Sequence, residues 1–256
     1  MAASQRSTAS ALSPPAWARR PANLASALTA ELVERIVRGQ YEPGTPLPPE
    51  PALSETFSVS RTVVREAVKM LQEKGLVQVR HGAGTTVTSP TMWNMLDELV
   101  LAASIAEDEG LSILDDLVAT RRVLESDMAN VAARLATEDL IAALRAQVER
   151  MDELVSDHVT YAVHDRTFHD LIMQASGNRL ARAVVRALES QVLNTARYMG
   201  RRERALCEAS NQGHRRIYER IAAHDPTGAA EAMFNHITEA WLVRRGEPGG
   251  PGRLER

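Results

Sequence analysis

Apolar residues recur at helical spacing from residue 61 and switch to alternation at residue 76, and that switch organises the amino-terminal third of the chain. Val64, Ala67, Val68 and Leu71 fall at i, i+3, i+4 and i+7, the apolar stripe of a helix predicted from Arg61 to Lys74. Ser60 stands at its N-cap position, and Gly75 stands where helices usually end. Arg61, Arg65 and Lys69 recur every four residues and form a basic ridge elsewhere on the same helix. Ahead of it, Ala52, Leu53 and Phe57 mark a short helix from Glu50 to Thr56, joined through the turn Phe57-Ser58-Val59-Ser60 as in a helix-turn-helix. After Gly75 the period is two, over Leu76 to Arg80 and Thr85 to Thr88, with His81-Gly82-Ala83-Gly84 between them. That is a β-hairpin with a glycine-containing loop. A helix-turn-helix followed at once by a hairpin is a winged helix, with His81 and Gly82 at the wing tip. Thr62 lies beside Arg61 at the helix end that meets base edges. Each feature alone reads first as an amphipathic helix with a solvated charged face beside an ordinary hairpin; their order and spacing together point to duplex DNA.

The remaining pattern is helical. Leu24, Leu28, Leu32 and Ile36 predict a helix from Asn23 to Gly39, ended by a turn at Pro43-Gly44. Residues 1–22 are rich in Ser, Ala and Pro and contain no acid, a composition shared by transit peptides. They hold no signal-peptide core, however, and are expected to form a disordered arm. The winged helix is assigned to residues 23–89 and a short linker to 90–92. From Trp93 the apolar pattern and its punctuation predict helices near 94–106, 112–135, 138–156, 158–175, 179–199, 202–223 and 227–244. Residues 93–245 thus read as an all-α antiparallel bundle of six or seven helices, and residues 246–256 as a loose tail. The fold class is mainly α.

Composition narrows the class without adding chemistry. A hydrophobic content of 44% and a mean hydropathy of −0.24 describe a soluble globular chain. No apolar run approaches the length of a membrane helix. The single cysteine, Cys207, excludes an intrachain disulfide and fits a reducing cytoplasm. The formal charge of −3 is uneven. Residues 1–90 carry ten Lys/Arg against seven Asp/Glu, and the rest carry twenty against twenty-six. A basic amino-terminal part and an acidic remainder fit a DNA-binding module joined to a domain that does not touch DNA.

Seven histidines are present: His81, His158, His164, His169, His214, His224 and His236. Asp165 and His169 are four residues apart on one predicted helix and can face one point. His214 and His236 fall on two later helices that a hairpin could bring level with them. One carboxylate and three imidazoles suit a divalent transition metal with positions left for water or ligand. Spacing alone favours the plainer reading, because scattered helix histidines are usually surface or hydrogen-bonded groups and D-x-x-x-H is common by chance.

The stretch Gly39–Val87 resembles the DNA-binding domain of the GntR family of bacterial transcription regulators. The residues that carry the likeness are Pro43-Gly44-Thr45, Leu47-Pro48, Glu50, Val59 through Ala67, Leu71, Gly75-Leu76 and His81-Gly82-Ala83-Gly84-Thr85. The resemblance implies DNA contacts from Ser60, Arg61, Thr62 and Arg65, with His81 or Gly82 entering the minor groove. Pro51 stands where the family usually carries an arginine, and Pro49 replaces the usual capping serine. Proline is tolerated in a first helical turn, so the fold should survive while one expected DNA contact is lost.

Residues Leu117–Trp241 are similar to the helical effector domain of the FadR-like branch. Asp165 with Phe168-His169, Gly177-Asn178, His214 and His236 match that branch's metal-binding pattern. The likeness implies a bound divalent metal, zinc first, with manganese or nickel as alternatives. His158, His164 and His224 have no counterpart there. Arg121, four residues before Glu125, matches a family arginine that faces the effector pocket, where a guanidinium opposite a metal would clamp a carboxylate; by residue chemistry it is equally a surface ion pair. Trp93-Asn94-Met95-Leu96-Asp97 resembles the W-N-L-L-D stretch of sugar-acid-responsive members, which points to an aldonate or uronate. A keto acid, lactate or another small carboxylate stays open.

Three functions are compatible with these readings. The first is a homodimeric, cytoplasmic, ligand-responsive regulator, a repressor, gripping a pseudo-palindromic operator and responding to a small carboxylate. The second is a metal-dependent hydrolase of the HD type, since His164-Asp165 and His169-Asp170 are literal HD dipeptides, although no further convincing ligand set and no general base accompany them. The third is a DNA-binding dimer with no effector.

Overall fold

The computed structural model describes residues 21–80, 82, 84–192 and 204–245, which form two compact units meeting in the chain at Ala103 and Ser104. The expected disordered arm (apart from Pro21 and Ala22), the carboxy-terminal tail, His81 and the end of the helix expected over 179–199 lie outside these residues.

In the first unit α1 (Pro21–Val37) opens two residues before the expected Asn23, a start that proline tolerates. It buries Leu28, Leu32, Val33 and Ile36, whereas Leu24, first of the four-spaced leucines, is exposed. The short α2 (Glu50–Thr56) begins directly after Pro49, with proline in its first turn, so the departures at 49 and 51 leave the helix intact. A turn with Ser58 at positive φ leads to α3 (Arg61–Glu73), whose Val63 N–H donates to the Ser60 hydroxyl. Val63, Val64, Ala67, Val68 and Leu71 are buried against α1 and α2, a face that accounts for the helix's strong amphipathicity.

Strands β1 (Val77–Arg80) and β2 (Gly84–Val87) pair antiparallel with Val77 opposite Val87 and Arg80 opposite Gly84. The Gly44–Leu47 segment, expected only as a turn, lies along the other edge of β2. Gly44 N–H donates to Val87 O and Leu47 N–H to Thr85 O, each at 2.8 Å, and Val87 N–H returns to Thr45 O at 3.0 Å. Period-two patterning cannot reveal a strand this short with a proline, Pro46, inside it.

The sequence assigned Trp93 and everything after it to the bundle. The first unit instead extends to Ala103, because Trp93, Met95, Leu99 and Val100 pack on the winged-helix core. The helix expected from 94 starts at Glu98 as α4 (Glu98–Glu107). Asp97 caps it, accepting from the N–H groups of Leu99 and Val100, and the preceding residues form a turn after a 3-10 segment at Pro90–Met92.

The second unit contains the end of α4 and the helices α5 (Ser112–Arg134), α6 (Glu138–Glu153), α7 (His158–Ala175), α8 (Arg179–Val192), α9 (Arg204–Ala222) and α10 (Pro226–Arg245). Thr137 and Asp157 cap α6 and α7 with their side chains. The long α5 is central: it packs on α7, α8, α9 and most extensively on α10, while α6 closes over α7 and α9. Met128, Leu144, Met151, Phe168 and Ile172 are fully buried between these helices. The expected mainly-α winged helix plus helical bundle is the fold observed. No described helix is long and apolar enough to cross a membrane.

Candidate functional site

On the first unit, the face of α3 opposite its core stripe leaves Ser60, Arg61, Thr62, Arg65 and Lys69 exposed, and Gly82 is exposed on the wing. Arg65 is not idle: its Nε and Nη2 donate to the two carboxylate oxygens of Glu50 on α2, at 3.4 and 3.1 Å, while the side chain stays 72% exposed. Glu50 therefore holds the guanidinium in a defined direction without covering it. Pro51, beside Glu50, is exposed where an arginine was expected.

In the second unit three helices deliver three imidazoles to one place. Asp165 and His169 lie one turn apart on α7, His214 on α9 and His236 on α10. Donor atoms of the three histidines lie within 4.8 Å of one another, and all three side chains are buried. Ring centroids are 5.4 Å apart for His169 and His214, 5.3 Å for His169 and His236, and 4.3 Å for His214 and His236. Asp165 Oδ1 sits 3.3 Å from His214 Nε2, close enough for an ion pair but not aligned as a hydrogen bond. Among the described residues neither ring nitrogen of His214 has a hydrogen-bond partner, although the residue is wholly buried. A buried imidazole left without partners is costly unless something else takes its lone pair.

His169 is oriented from behind. Its Nδ1 donates to Glu125 Oε2 at 2.6 Å, and Glu125 Oε1 accepts from Arg121 Nε at 2.8 Å. Burial would raise the Glu125 carboxyl, but Arg121 and His169 overcome it and hold the group down at about 2. The same contact lifts His169 above the ordinary histidine range against the opposing effect of burial, while burial lowers His214 and His236. Asp165 is likewise lowered: burial acts against its charge, and His214 and His169 more than offset that.

These groups border a cavity of about 150 Å³, lined among others by Arg121, Asp165, His169, Glu189, His236 and Trp241. It has room for a small organic molecule. Arg121 reaches it, but as a buried ion pair rather than as a surface one or an open clamp, since its Nη2 lies 2.8 Å from Glu189 Oε1 on α8.

Sequence reasoning noted Glu125 only for its spacing from Arg121 and missed Glu189 and Gly213. Nothing local marks Glu189. Gly213 carried a signal, being a lone glycine inside a helical pattern next to a candidate ligand. A Cβ there would run into the His236 imidazole, so the absent side chain lets α9 and α10 approach where their histidines meet. Trp93–Asp97, whose resemblance hinted at the effector, lies in the first unit and does not line the cavity. The two HD dipeptides do not act as pairs: His164 bonds Gln147 at 2.8 Å, and Asp170 is held bidentately by Arg182.

A winged helix with an exposed basic edge, joined in one chain to a helical bundle enclosing a cavity bordered by Arg121, Asp165, His169 and His236, defines a ligand-responsive DNA-binding transcription regulator. The comparisons agree. Residues 24–87 match the family described as bacterial regulatory proteins, gntR family, and residues 116–239 match the FCD domain. The chain belongs to the GntR family, in its FadR-like branch with an FCD effector domain, and it is a regulator rather than an enzyme. It is 37% identical over 158 residues to the uncharacterized HTH-type transcriptional regulator YieP of Escherichia coli K12, covering 61% of this chain and 69% of that one. It is 26% identical to the galactonate operon transcriptional repressor of the same organism over 220 residues, 85% of this chain and 95% of the relative. A solved structure of Lar from Listeria monocytogenes, 19% identical, aligns over 86% of this chain and 95% of its own with a TM-score of 0.55, a likeness of fold.

Proposed function

We propose that the chain is a cytoplasmic, homodimeric repressor that carries a divalent metal, zinc before manganese or nickel, on Asp165, His169, His214 and His236. It leaves a pseudo-palindromic operator when a small carboxylate, a sugar acid by preference, enters the adjoining cavity. The observation that carries this reading is His214, wholly buried with neither nitrogen hydrogen-bonded among the described residues, beside two other imidazoles and a carboxylate. Three imidazoles and one carboxylate are a donor set that zinc accepts, and they leave coordination positions open. With Nδ1 of His169 committed to Glu125, its Nε2 is the nitrogen left for the ion, the arrangement that fixes a ligating histidine's tautomer. The farthest donors, 4.8 Å apart, have to draw together, because nitrogens around one tetrahedral zinc are about 3.3 Å from one another. The ion would supply positive charge and open positions for a carboxylate, and Arg121 and Trp241 would border the rest of that ligand.

On the DNA side, Ser60, Arg61, Thr62 and Arg65 would meet the major groove, with His81 or Gly82 in the minor groove. The sugar-acid preference is supported by the galactonate operon repressor among the relatives. The test uses the full chain. Metal content is determined after reconstitution, melting is followed with zinc and then with D-galactonate, D-glucuronate, L-lactate or pyruvate, and retention of the promoter fragment is measured alongside. The expected result is about one zinc per chain, lost in His214→Ala, and stabilisation near 2.7 kcal/mol by an acid at a hundred times its Kd. Release of the DNA by that same acid is expected with it. A chain that takes up no metal and melts identically with every acid overturns the proposal.

A further inference from the structure

Arg121 meets two carboxylates, and they are not equivalent. Glu125 sits one turn along the same helix, is wholly buried and is shared with His169, so it belongs to the permanent framework. Glu189 comes from a different helix, lines the cavity and keeps 14% of its side chain exposed. Its carboxylate oxygen lies 2.8 Å from Arg121 Nη2, within the edge of the guanidinium that an incoming carboxylate would use. Its position is strained electrically. Burial together with Glu125 on α5 and Asp165 on α7 works against its charge, while Arg121 and His169 work for it, and the net effect is a raised carboxyl.

We infer that Glu189 is a built-in competitor for the acid-binding site: a carboxylate ligand reaches Arg121 Nη2 only by displacing Glu189 Oε1, and this exchange decides which acids are accepted. The inference rests on the reading of the cavity as a carboxylate site. Swapping one carboxylate for another on the same guanidinium gains almost nothing. A simple monocarboxylate such as acetate is therefore rejected. An acid carrying hydroxyls or a second acidic group, able to reach the Asp165 and His236 end as well, makes the exchange favourable. Apparent affinity is the intrinsic affinity scaled by the fraction of chains whose Arg121 is accessible, so removing the competitor raises it for every carboxylate and most visibly for the simplest.

The experiment titrates acetate and, separately, D-galactonate into the zinc-reconstituted full chain by calorimetry, in wild type, Glu189→Gln, Glu189→Ala, Arg121→Ala and the Arg121→Ala/Glu189→Gln double variant. Acetate and galactonate are both expected to bind Glu189→Gln and Glu189→Ala at least tenfold tighter than wild type, the gain lifting acetate from unmeasurable to measurable binding. Equal or weaker acetate binding in both Glu189 variants, including none at millimolar concentration, overturns the inference. A purely structural ion pair would show that result together with a lower Tm. Galactonate bound by wild type and lost in Arg121→Ala, with no acetate gain at Glu189, removes the competitor role and leaves the cavity reading standing. An acetate gain that survives in the double variant places the acid off the guanidinium, which overturns the competitor role.

Discussion

Gly213 is a residue whose role is set by what it lacks. In an α-helix interior, replacing glycine with alanine gains up to about 1 kcal/mol of helix propensity. Here the added methyl meets the His236 ring, including its Cγ at 3.1 Å and Cβ at 3.3 Å, and overpacking of this kind costs about 1–3 kcal/mol. The two effects nearly cancel in stability, but they do not cancel at His236, whose ring has to move. Gly213→Ala is therefore expected to shift Tm by only a few degrees while weakening zinc at least tenfold in a chelator competition. Wild-type zinc affinity in that variant would remove Gly213 from the site. Most of the site's residue types were legible in the sequence: Asp165, His169, His214 and His236 through the family pattern, since spacing alone favoured the plainer reading. Their environment was not. Arg121 and Glu189 are 68 residues apart, no periodicity joins them, and only the packing of α8 on α5 turns the expected open guanidinium into a paired one.

At the scale of elements, the stretch from Pro90 to Asp97 ties the end of the recognition helix to the start of α4. Asn94 N–H donates to Lys74 O at 2.9 Å, and Lys74 Nζ meets Asp97 Oδ2 at 2.5 Å with only 15% and 20% of the two side chains exposed. Gly75, at φ +77°, lies under the Met92 carbonyl, where a Cβ would not fit. The winged helix itself was readable because its stripes have the right periods. This strap was not, because its Lys74–Asp97 ion pair and backbone hydrogen bonds leave no pattern and the apolar Trp93 and Met95 that pack beside them follow no period. The likeness of Trp93–Asp97 to a sugar-acid motif marks residues that matter here for a different reason. Asp97 serves twice, pairing with Lys74 and capping α4. Asp97→Asn keeps an acceptor for the cap and loses the charge; for a pair this poorly exposed the cost lies between surface and buried values, about 1–3 kcal/mol. Asp97→Ala loses the cap as well, about 1 kcal/mol more. The amino-terminal unit should melt earlier in that order, with operator affinity falling in parallel. Equal Tm and equal operator binding in both variants would show that the strap contributes nothing to either.

For the molecule as a whole, charge separates the two halves of the task. Residues 1–90 carry three more basic than acidic side chains, an excess equal to Arg6, Arg19 and Arg20, and the remainder six more acidic than basic, so the winged helix itself is balanced in charge and attracts DNA through the local ridge on α3 rather than through its net charge. Lys69 lies further along the exposed ridge than Arg61 and Arg65, which stand near the amino end of α3, the end that in a helix-turn-helix reaches base edges. The two kinds of contact leave different marks. A residue that neutralises a phosphate contributes about 0.9 to the slope of log K against log salt, and its loss weakens binding to all sequences alike. A residue that reads a guanine costs about 1–3 kcal/mol when removed, on the specific site alone. Arg61→Ala and Arg65→Ala are therefore expected to weaken operator binding by about tenfold to a hundredfold and to leave non-specific binding near wild type. Lys69→Ala should lower the salt slope by about one unit on operator and random duplex equally. Glu50→Gln gives the check on Arg65: with its partner neutralised the guanidinium loses its aim, and discrimination should fall in the same sense as in Arg65→Ala but by less. If Arg61→Ala and Arg65→Ala instead reduce operator and random-duplex binding by the same factor, α3 lies on the backbone rather than in the groove. The sequence preference of this regulator would then come from the wing or from the shape of the DNA.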